Sequence, residues 1–282
     1  MLIQELKKIF KKKKFKYGRG IAFPTCISIN NNAGYYIPNE KKLINEGDVL
    51  KIELGVHLDG FPSIMCKTIL VCENENDHLI KKNLIDTVNK SAKDVLKMLK
   101  DGLINKDIIK KLEKNSEENN FNLLTCNGKY MHCPGVITYQ ISQNNIDGKT
   151  EDDDDTHQLI IPRMNETFDF EMGDIELTEN EVYCFDIGMS TGNGKLDLDD
   201  DFCKIYKRNI DKFYNLKLKT SKEVLRKFKN NYFPINVSKL INSRFKMGLN
   251  ECINNNLIES YPSMVDNKNE IGYCIIQYPK KI

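Results

Sequence analysis

The chain has 282 residues, with 42 Lys and Arg against 40 Asp and Glu, nine Cys and a formal net charge of +2. This length and balance suit one large domain with a real core, and they exclude a histone-like chain or an acidic solvating chain. No apolar run reaches the roughly 18 residues of a membrane-spanning helix, and the first residues lack the apolar core of a signal peptide. We therefore expect an intracellular protein without membrane contact.

The first 19 residues form a basic segment with eight Lys and Arg against a single acid, Glu5. We separate this segment from one domain over residues 20–282. A basic start of this kind favours contact with phosphates, and a solvated helix face or a localisation signal explains it equally well.

Three segments of the first quarter predict β-strands. Residues 21–29 are apolar and β-branched, and residues 48–56 and 61–72 alternate as paired strands do. The latter two are joined through Asp59–Gly60, which is a strong hairpin signal. We expect Asp59 to be a turn residue rather than a metal ligand.

Helical spacing replaces the strand pattern from residue 78 to residue 99, and Gly102 follows as a stop. A second helix is indicated by Ile108, Ile109 and Leu112. These two helices complete an α/β unit that begins with the strands.

The second half begins with an acidic loop predicted at about 151–175 and a strand at 181–189. Thr220 and Glu223 fit a capping box at the start of a further helix. One more helix and a final extended segment close the chain.

An internal repeat links the two halves. Residues 48–55 and 181–188 share the pattern acid–Val–x–x–apolar–acid–apolar–Gly. Side chains alternate along a strand, so Glu53 and Asp186 lie at equivalent points of two similar strands. The repeat indicates a duplicated α/β unit.

The cysteines and histidines show no ligand spacing. The nine Cys are spread singly without a C-x-x-C pair, which disfavours a zinc ribbon or a thioredoxin-like motif. Most have apolar neighbours, where a reduced cysteine acts as a small hydrophobe, so we expect a reducing compartment: cytoplasm, nucleus or a nucleus-derived compartment. We expect the four histidines to be structural or exposed: His57, His78, His132 and His157.

Five segments carry a family resemblance: residues 20–39, 47–60, 136–150, 181–195 and 205–228. They resemble type 2 methionine aminopeptidases. They resemble still more closely the proliferation-associated proteins, the enzymatically silent branch that includes curved-DNA-binding proteins. The resemblance covers most of residues 8–278. It implies an α/β pita-bread fold, in which two pseudo-symmetric halves surround a central pocket, with a helical insert near 205–265.

The resemblance also locates the enzyme site, where two Asp, one His and two Glu hold two metal ions and a further His positions the substrate. The matched positions, in that order, are Glu53, Ile64, Thr138, Asp186, Ile275 and Tyr35. A one-residue slip would replace Thr138 by Tyr139. Two carboxylates remain of five ligands, which implies no catalysis, no metal and no cofactor. Whether Glu53 and Asp186 retain a stray cation stays open.

The same resemblance implies roles in ribosome assembly, translation or growth-linked regulation. We predict contact with RNA, ribosomes or DNA through two basic stretches, at Lys11, Lys12, Lys13, Lys14, Lys207, Arg208 and Lys219. Two alternatives stay open: a metal-dependent methionine aminopeptidase that removes initiator Met, and a protein-interaction scaffold that uses the old substrate cleft. We expect a monomer that lacks the relatives' longer N-terminal segment and their Lys-rich C-terminal extension.

Overall fold

The structure is a computed structural model, and it describes residues 15–38, 42–129, 132–148, 159–168, 171–199, 203–228, 232–267 and 269–279. The predicted contacts at Lys11–Lys14 and the acidic run at 151–155 lie outside the described residues. None of the described helices combines the length and the hydrophobicity that crossing a membrane requires.

The described residues form four α-helices: α1 (Leu79–Met98), α2 (Asn105–Glu117), α3 (Lys219–Lys227) and α4 (Ser243–Asn254). The strands are β1 (Arg19–Ile29), β2 (Asn32–Gly34), β3 (Val49–Leu58), β4 (Phe61–Leu70), β5 (Leu103–Ile104), β6 (Asn122–Leu123), β7 (Thr125–Cys126), β8 (Thr138–Ile141), β9 (Leu159–Ile160), β10 (Glu176–Leu177), β11 (Val182–Ser190), β12 (Lys195–Leu198), β13 (Ile205–Arg208), β14 (Ile235–Asn236), β15 (Ile258–Ser260), β16 (Met264–Val265) and β17 (Ile271–Pro279). A 3₁₀ turn, Glu75–His78, precedes α1.

A central antiparallel sheet organises the molecule, with the strand order β1-β3-β4-β17-β11-β8-β9. The first half contributes β1, β3 and β4, and the second half contributes β8, β11 and β17 in mirrored order. The halves meet where β4 pairs with β17. This order is what the internal repeat predicts, with Glu53 and Asp186 on the middle strand of each half.

The predicted hairpin is confirmed. Asp59 and Gly60 have φ angles of 52° and 83°, in the left-handed region that a tight hairpin turn requires. A Cβ at Gly60 would lie 2.3 Å from the Oδ1 atom of Asn144, so glycine is also needed for space. The turn fixes the register of β3 against β4 along their whole length, and with it the position of Glu53.

The two faces of the sheet are packed differently. On β11, Phe185 and Ile187 pack in a cluster with Leu84 and Val88 of α1, as the helical spacing predicts. The alternate residues of β11 face a second cluster on the inner side of the sheet, which holds Cys184 among its members. The inner face is therefore the side on which the family's pocket is expected.

The insert (residues 205–265) is less helical than predicted. Besides α3 and α4 it contains a three-stranded sheet with the order β14-β13-β15, and it has its own apolar cluster around Phe228 and Leu249. The helices approach closely, because a Cβ at Gly248 of α4 would lie 2.8 Å from the backbone of Thr220 on α3.

The capping box predicted for α3 is wrong. The helix begins at Lys219 without a side-chain cap, and the Thr220 hydroxyl has no hydrogen-bond partner among the described residues. Instead the backbone N–H groups of Lys217 and Leu218 donate to the carboxylate of Glu251 on α4, at 2.7 and 3.1 Å. A carboxylate from the neighbouring helix thus holds the two residues that lead into α3.

Candidate functional site

The strand register brings three of the predicted site residues into one row across the inner face of the sheet. Glu53 lies opposite Cys66, Cys66 opposite Ile275, and Ile275 opposite Asp186. Ile64 lies on the same face of β4, two residues before Cys66. We call Glu53, Cys66, Ile275 and Asp186 the central row.

The two remaining predicted residues border the central row. The Asp186 N–H donates to the Thr138 hydroxyl at 3.2 Å. Tyr35 packs with its ring centroid 5.1 Å from that of Phe23, and its φ of 60° lies in the left-handed region that bulky residues rarely adopt. The structure therefore brings all six predicted positions to one place.

These six positions are buried. Their exposed fractions range from 2% for Glu53 to 7% for Ile64. Tyr273, which has no exposed surface, lies in the same cluster and donates its hydroxyl to Oδ2 of Asp186 at 3.0 Å. The row is part of the inner core and does not form the floor of an open cleft.

Burial also changes the charge of the row. It raises the pKa of Asp186 to about 8, although the Tyr273 hydroxyl bond acts in the opposite direction. Burial raises the pKa of the Glu53 carboxyl well above its usual range, and the nearby Asp186 raises it further. Oε2 of Glu53 has no hydrogen-bond partner among the described residues. Both carboxyls therefore favour the protonated form more strongly than exposed carboxyls do.

The donor set of the row does not fit a two-metal centre. Such a centre needs carboxylates that bridge the ions and an imidazole beside them. Ile64 and Ile275 carry no donor atoms, and the Thr138 hydroxyl is a weak substitute for a histidine. Glu53 and Asp186 alone cannot hold two ions close together.

The predicted basic contacts divide into buried and exposed side chains. Lys207 forms an ion pair with Asp147, with 2.5 Å between Nζ and Oδ2, and its side chain is only 11% exposed. Its charge is already compensated, which argues against Lys207 as a phosphate contact. Lys204 is likewise buried and donates to the carbonyl of Ile37. Arg208 is partly buried, and Lys219 is exposed.

The stretch from residue 208 to residue 227 carries exposed or partly exposed cations and aromatic rings. We call these side chains the insert surface: Arg208, Lys212, Phe213, Tyr214, Lys217, Lys219, Lys222, Arg226 and Lys227. Phe213 is 88% exposed and Tyr214 is 42% exposed. A shallow cleft of about 340 Å³ lies among Arg208, Tyr214, Lys222 and Arg226. Our sequence reasoning found the cations but missed the rings, although Lys212-Phe-Tyr stands in the sequence.

A second cluster was also missed by sequence reasoning. His132, expected to be structural or exposed, is buried with Nε2 3.4 Å from Oε2 of Glu259. His132, Asp147 and Glu259 each offer one atom that could bind a metal ion, and these three atoms lie within 4.8 Å of one another. These residues are far apart in the chain, so no local spacing could have revealed them. Asp147 and Glu259 line a cleft of about 620 Å³.

The cysteines differ in part from the expectation of reduced thiols. Cys126 and Cys133 form a disulfide bond, and the other seven are free. The bond closes a short loop that ends next to His132. Cys133 was missed as a bonding partner because its spacing from Cys126 matches no familiar motif.

Comparisons with known proteins agree with this geometry. The sequence model of metallopeptidase family M24 matches residues 2–147, and the chain belongs to that family. It is 32% identical over 259 residues to ERBB-3 binding protein 1 of Solanum tuberosum, which covers 90% of this chain and 62% of that protein. It is 30% identical over 283 residues to proliferation-associated protein A of Dictyostelium discoideum, with coverages of 97% and 67%.

The solved structure of a thermophilic Arx1 superposes with a TM-score of 0.74 at 20% identity, covering 98% of this chain and 77% of that one. The pita-bread fold and the resemblance to proliferation-associated proteins are therefore confirmed. The chain spans about three fifths of the length of the relative from Solanum tuberosum.

Proposed function

We propose that the chain is a non-catalytic member of family M24 that binds single-stranded segments of RNA through the insert surface. The observation that carries the proposal is the exposure of Phe213 and Tyr214 among cationic side chains. Lys and Arg attract phosphates, and exposed rings stack on unpaired bases at about 1–3 kcal/mol per base. Duplexes shield their base faces, so the rings favour a single strand.

The absence of catalysis rests on the central row. An aminopeptidase must admit the N-terminus of a peptide to a metal-bound nucleophile, whereas these positions are buried and lack three of the five ligands. We therefore expect no release of Met from a short peptide in the presence of Co²⁺ or Mn²⁺. Ile64→Asp alone should not restore activity, because Thr138 and Ile275 still replace a histidine and a glutamate.

The burial of the central row also argues against a scaffold that uses the old substrate cleft. A protein partner on the insert surface is a separate outcome, since one relative is named for binding another protein. Binding to phosphates weakens log-linearly with salt, whereas docking of an apolar protein surface does not. The salt series below distinguishes the two.

The test is fluorescence anisotropy of a single-stranded RNA across a salt series, with a matched DNA and an RNA duplex as competitors. Lys222→Glu/Arg226→Glu should weaken binding and reduce the salt slope by about 1.4, at about 0.7 per phosphate contact. Lys93→Glu/Lys97→Glu is the matched control, because these residues are exposed and one turn apart on α1.

Phe213→Ala should weaken RNA binding while leaving the salt slope unchanged, because it removes stacking and no charge. Equal losses in the α1 control would show that the attraction is a general charge effect. Tighter binding to the DNA competitor would assign the surface to DNA. No binding at low salt by the wild-type chain would overturn the proposal.

A further inference from the structure

The strongest unassigned feature is the cluster of His132, Asp147 and Glu259. His132 and Asp147 come from two loops of the core, and Glu259 comes from β15 of the insert. Their three ligand-type atoms lie within 4.8 Å of one another, and the His132 and Glu259 atoms are 3.4 Å apart. The cluster therefore lies where the insert joins the rest of the fold.

Contacts outside the cluster hold two of its members in place. The His132 ring stacks on Tyr261 with 3.9 Å between ring centroids and 10° between ring planes. Oε1 of Glu259 accepts a hydrogen bond from Nδ2 of Asn209 at 3.1 Å, which turns Oε2 toward His132. Such supporting contacts orient ligands at metal sites.

We propose that His132, Asp147 and Glu259 bind one divalent transition-metal ion, with Zn²⁺ as the best fit. A tetrahedral ion with ligands at about 2.1 Å holds its ligand atoms about 3.4 Å apart, which is the spacing of His132 and Glu259. Asp147 reaches this spacing by a shift of about an ångström. One imidazole and two carboxylates suit Zn²⁺ better than Ca²⁺ or Mg²⁺.

Lys207 tunes this site. Its ammonium group contacts Oδ2 of Asp147, so it competes with an ion for the charge of that carboxylate. A carboxylate has two oxygens and about four lone-pair positions, so Asp147 can bind Lys207 and an ion together. The Lys207 charge lowers the affinity for a cation without preventing binding.

The proposed site borders a cleft from which an exchangeable ligand would reach the ion. Asp147 and Glu259 line the cleft of about 620 Å³, together with Gln143, Arg208 and Tyr232. Three protein ligands and one exchangeable position are the arrangement in which a bound Zn²⁺ keeps a water molecule or an anion. None of the three residues stands at a position that matches a family ligand, so the site is not a remnant of the two-metal centre.

The test is calorimetric titration of the full chain with Zn²⁺, followed by Co²⁺ titration in the visible range. We expect one ion per chain. His132→Phe keeps a ring against Tyr261 and removes the nitrogen ligand. Loss of a residue that only supports a metal ligand weakens binding by roughly 10–100-fold. His132→Phe removes a ligand itself, so it should weaken Zn²⁺ binding by more than this. Lys207→Gln should tighten binding, because it removes the competing charge and keeps a donor for Asp147.

Two controls locate the ion. Asp186→Asn should leave the affinity unchanged, and a loss there with none in His132→Phe would place the ion at the central row. A Co²⁺–thiolate charge-transfer band would place it at a free cysteine instead.

Circular dichroism shows whether His132→Phe folds. If it does not, Glu259→Gln is the second ligand variant. Absence of binding by the wild-type chain, or unchanged binding in both ligand variants, would overturn the proposal. RNA is absent from all these titrations, so their result does not depend on the proposed function.

Discussion

The chain contains two groups of acidic side chains in different surroundings. In the central row, Glu53 and Asp186 lie among tyrosines, thiols and isoleucines, and burial raises the pKa of each carboxyl. At the junction with the insert, Asp147 and Glu259 have a lysine and a histidine beside them and border a cleft.

The comparison shows that carboxylates alone do not define an ion site. The central row lies on neighbouring strands of the central sheet, and apolar side chains surround its two carboxyls. The junction has no counterpart among the ligand positions that the family resemblance supplies. His132 and Asp147 are as buried as the central row, but they have polar partners, and Asp147 and Glu259 border a cleft. Surroundings decide whether an acidic group binds a proton or a cation.

The largest expected effect comes from placing a carboxylate at Ile64, which lies beside the central row on the same face of β4. Ile64→Asp should lower the free energy of unfolding by about 4 kcal/mol or more, because it removes apolar packing and buries a charge without a partner. Urea denaturation measures the change. Ile80→Asp is the matched control, since Ile80 is 69% exposed and should change stability by no more than about 0.5 kcal/mol. Equal effects would show that the row is open to water.

The second effect depends on pH. Because the pKa of Asp186 is raised to about 8 in the folded chain, its contribution to stability is full below about pH 4 and is lost as the pH rises toward 8. Asp186→Asn does not titrate. Between pH 5 and pH 8 the wild-type chain loses this contribution and the variant does not. The free energy of unfolding of Asp186→Asn relative to wild type should therefore increase, by at most about 1.4 kcal/mol per pH unit.

Urea denaturation of both proteins at the two pH values checks this prediction. Asp197→Asn, an exposed carboxylate on β12, is the reference. A difference between Asp186→Asn and wild type that does not change with pH would contradict the raised pKa of Asp186 in the folded chain.

The smallest expected effect concerns a third kind of carboxylate, which serves a helix end. Glu251→Ala should cost about 1 kcal/mol, because it leaves the N–H groups of Lys217 and Leu218 without their acceptor. Thr220→Val removes the hydroxyl and keeps the side-chain shape, and it should change stability little, since the Thr220 hydroxyl has no hydrogen-bond partner among the described residues. Thermal unfolding measures the stability of both variants. A larger loss in the Thr220 variant than in Glu251→Ala would indicate that the predicted capping box forms after all.

Features set by neighbouring residues were predictable from the sequence. The Asp59–Gly60 turn, the apolar face of α1 and the paired acid positions on β3 and β11 depend on backbone preference and periodicity. The family resemblance then supplied the six candidate site positions, which the structure brings close together; that they replace lost ligands stays a prediction. It gave no information about where the insert packs against the core.

Features set by tertiary contacts were not predictable. The Glu251 cap, the buried ion pair of Lys207 and the cluster at His132 each join segments that are distant in sequence. Glu259, for example, is 127 residues beyond His132. Local pattern cannot distinguish a lysine that meets Asp147 from one that faces water, because both occur in the same basic run.

Closure of the central row changes how mutation acts on those positions. In an open metal site a substitution removes activity and leaves folding largely intact, whereas a buried residue such as Tyr273 or Ile275 contributes directly to the packed core. Selection on these positions would then act through the amount of folded protein in the cell rather than through chemistry. Substitutions that conserve volume and polarity should persist there, and a return to the ligand residues should be eliminated.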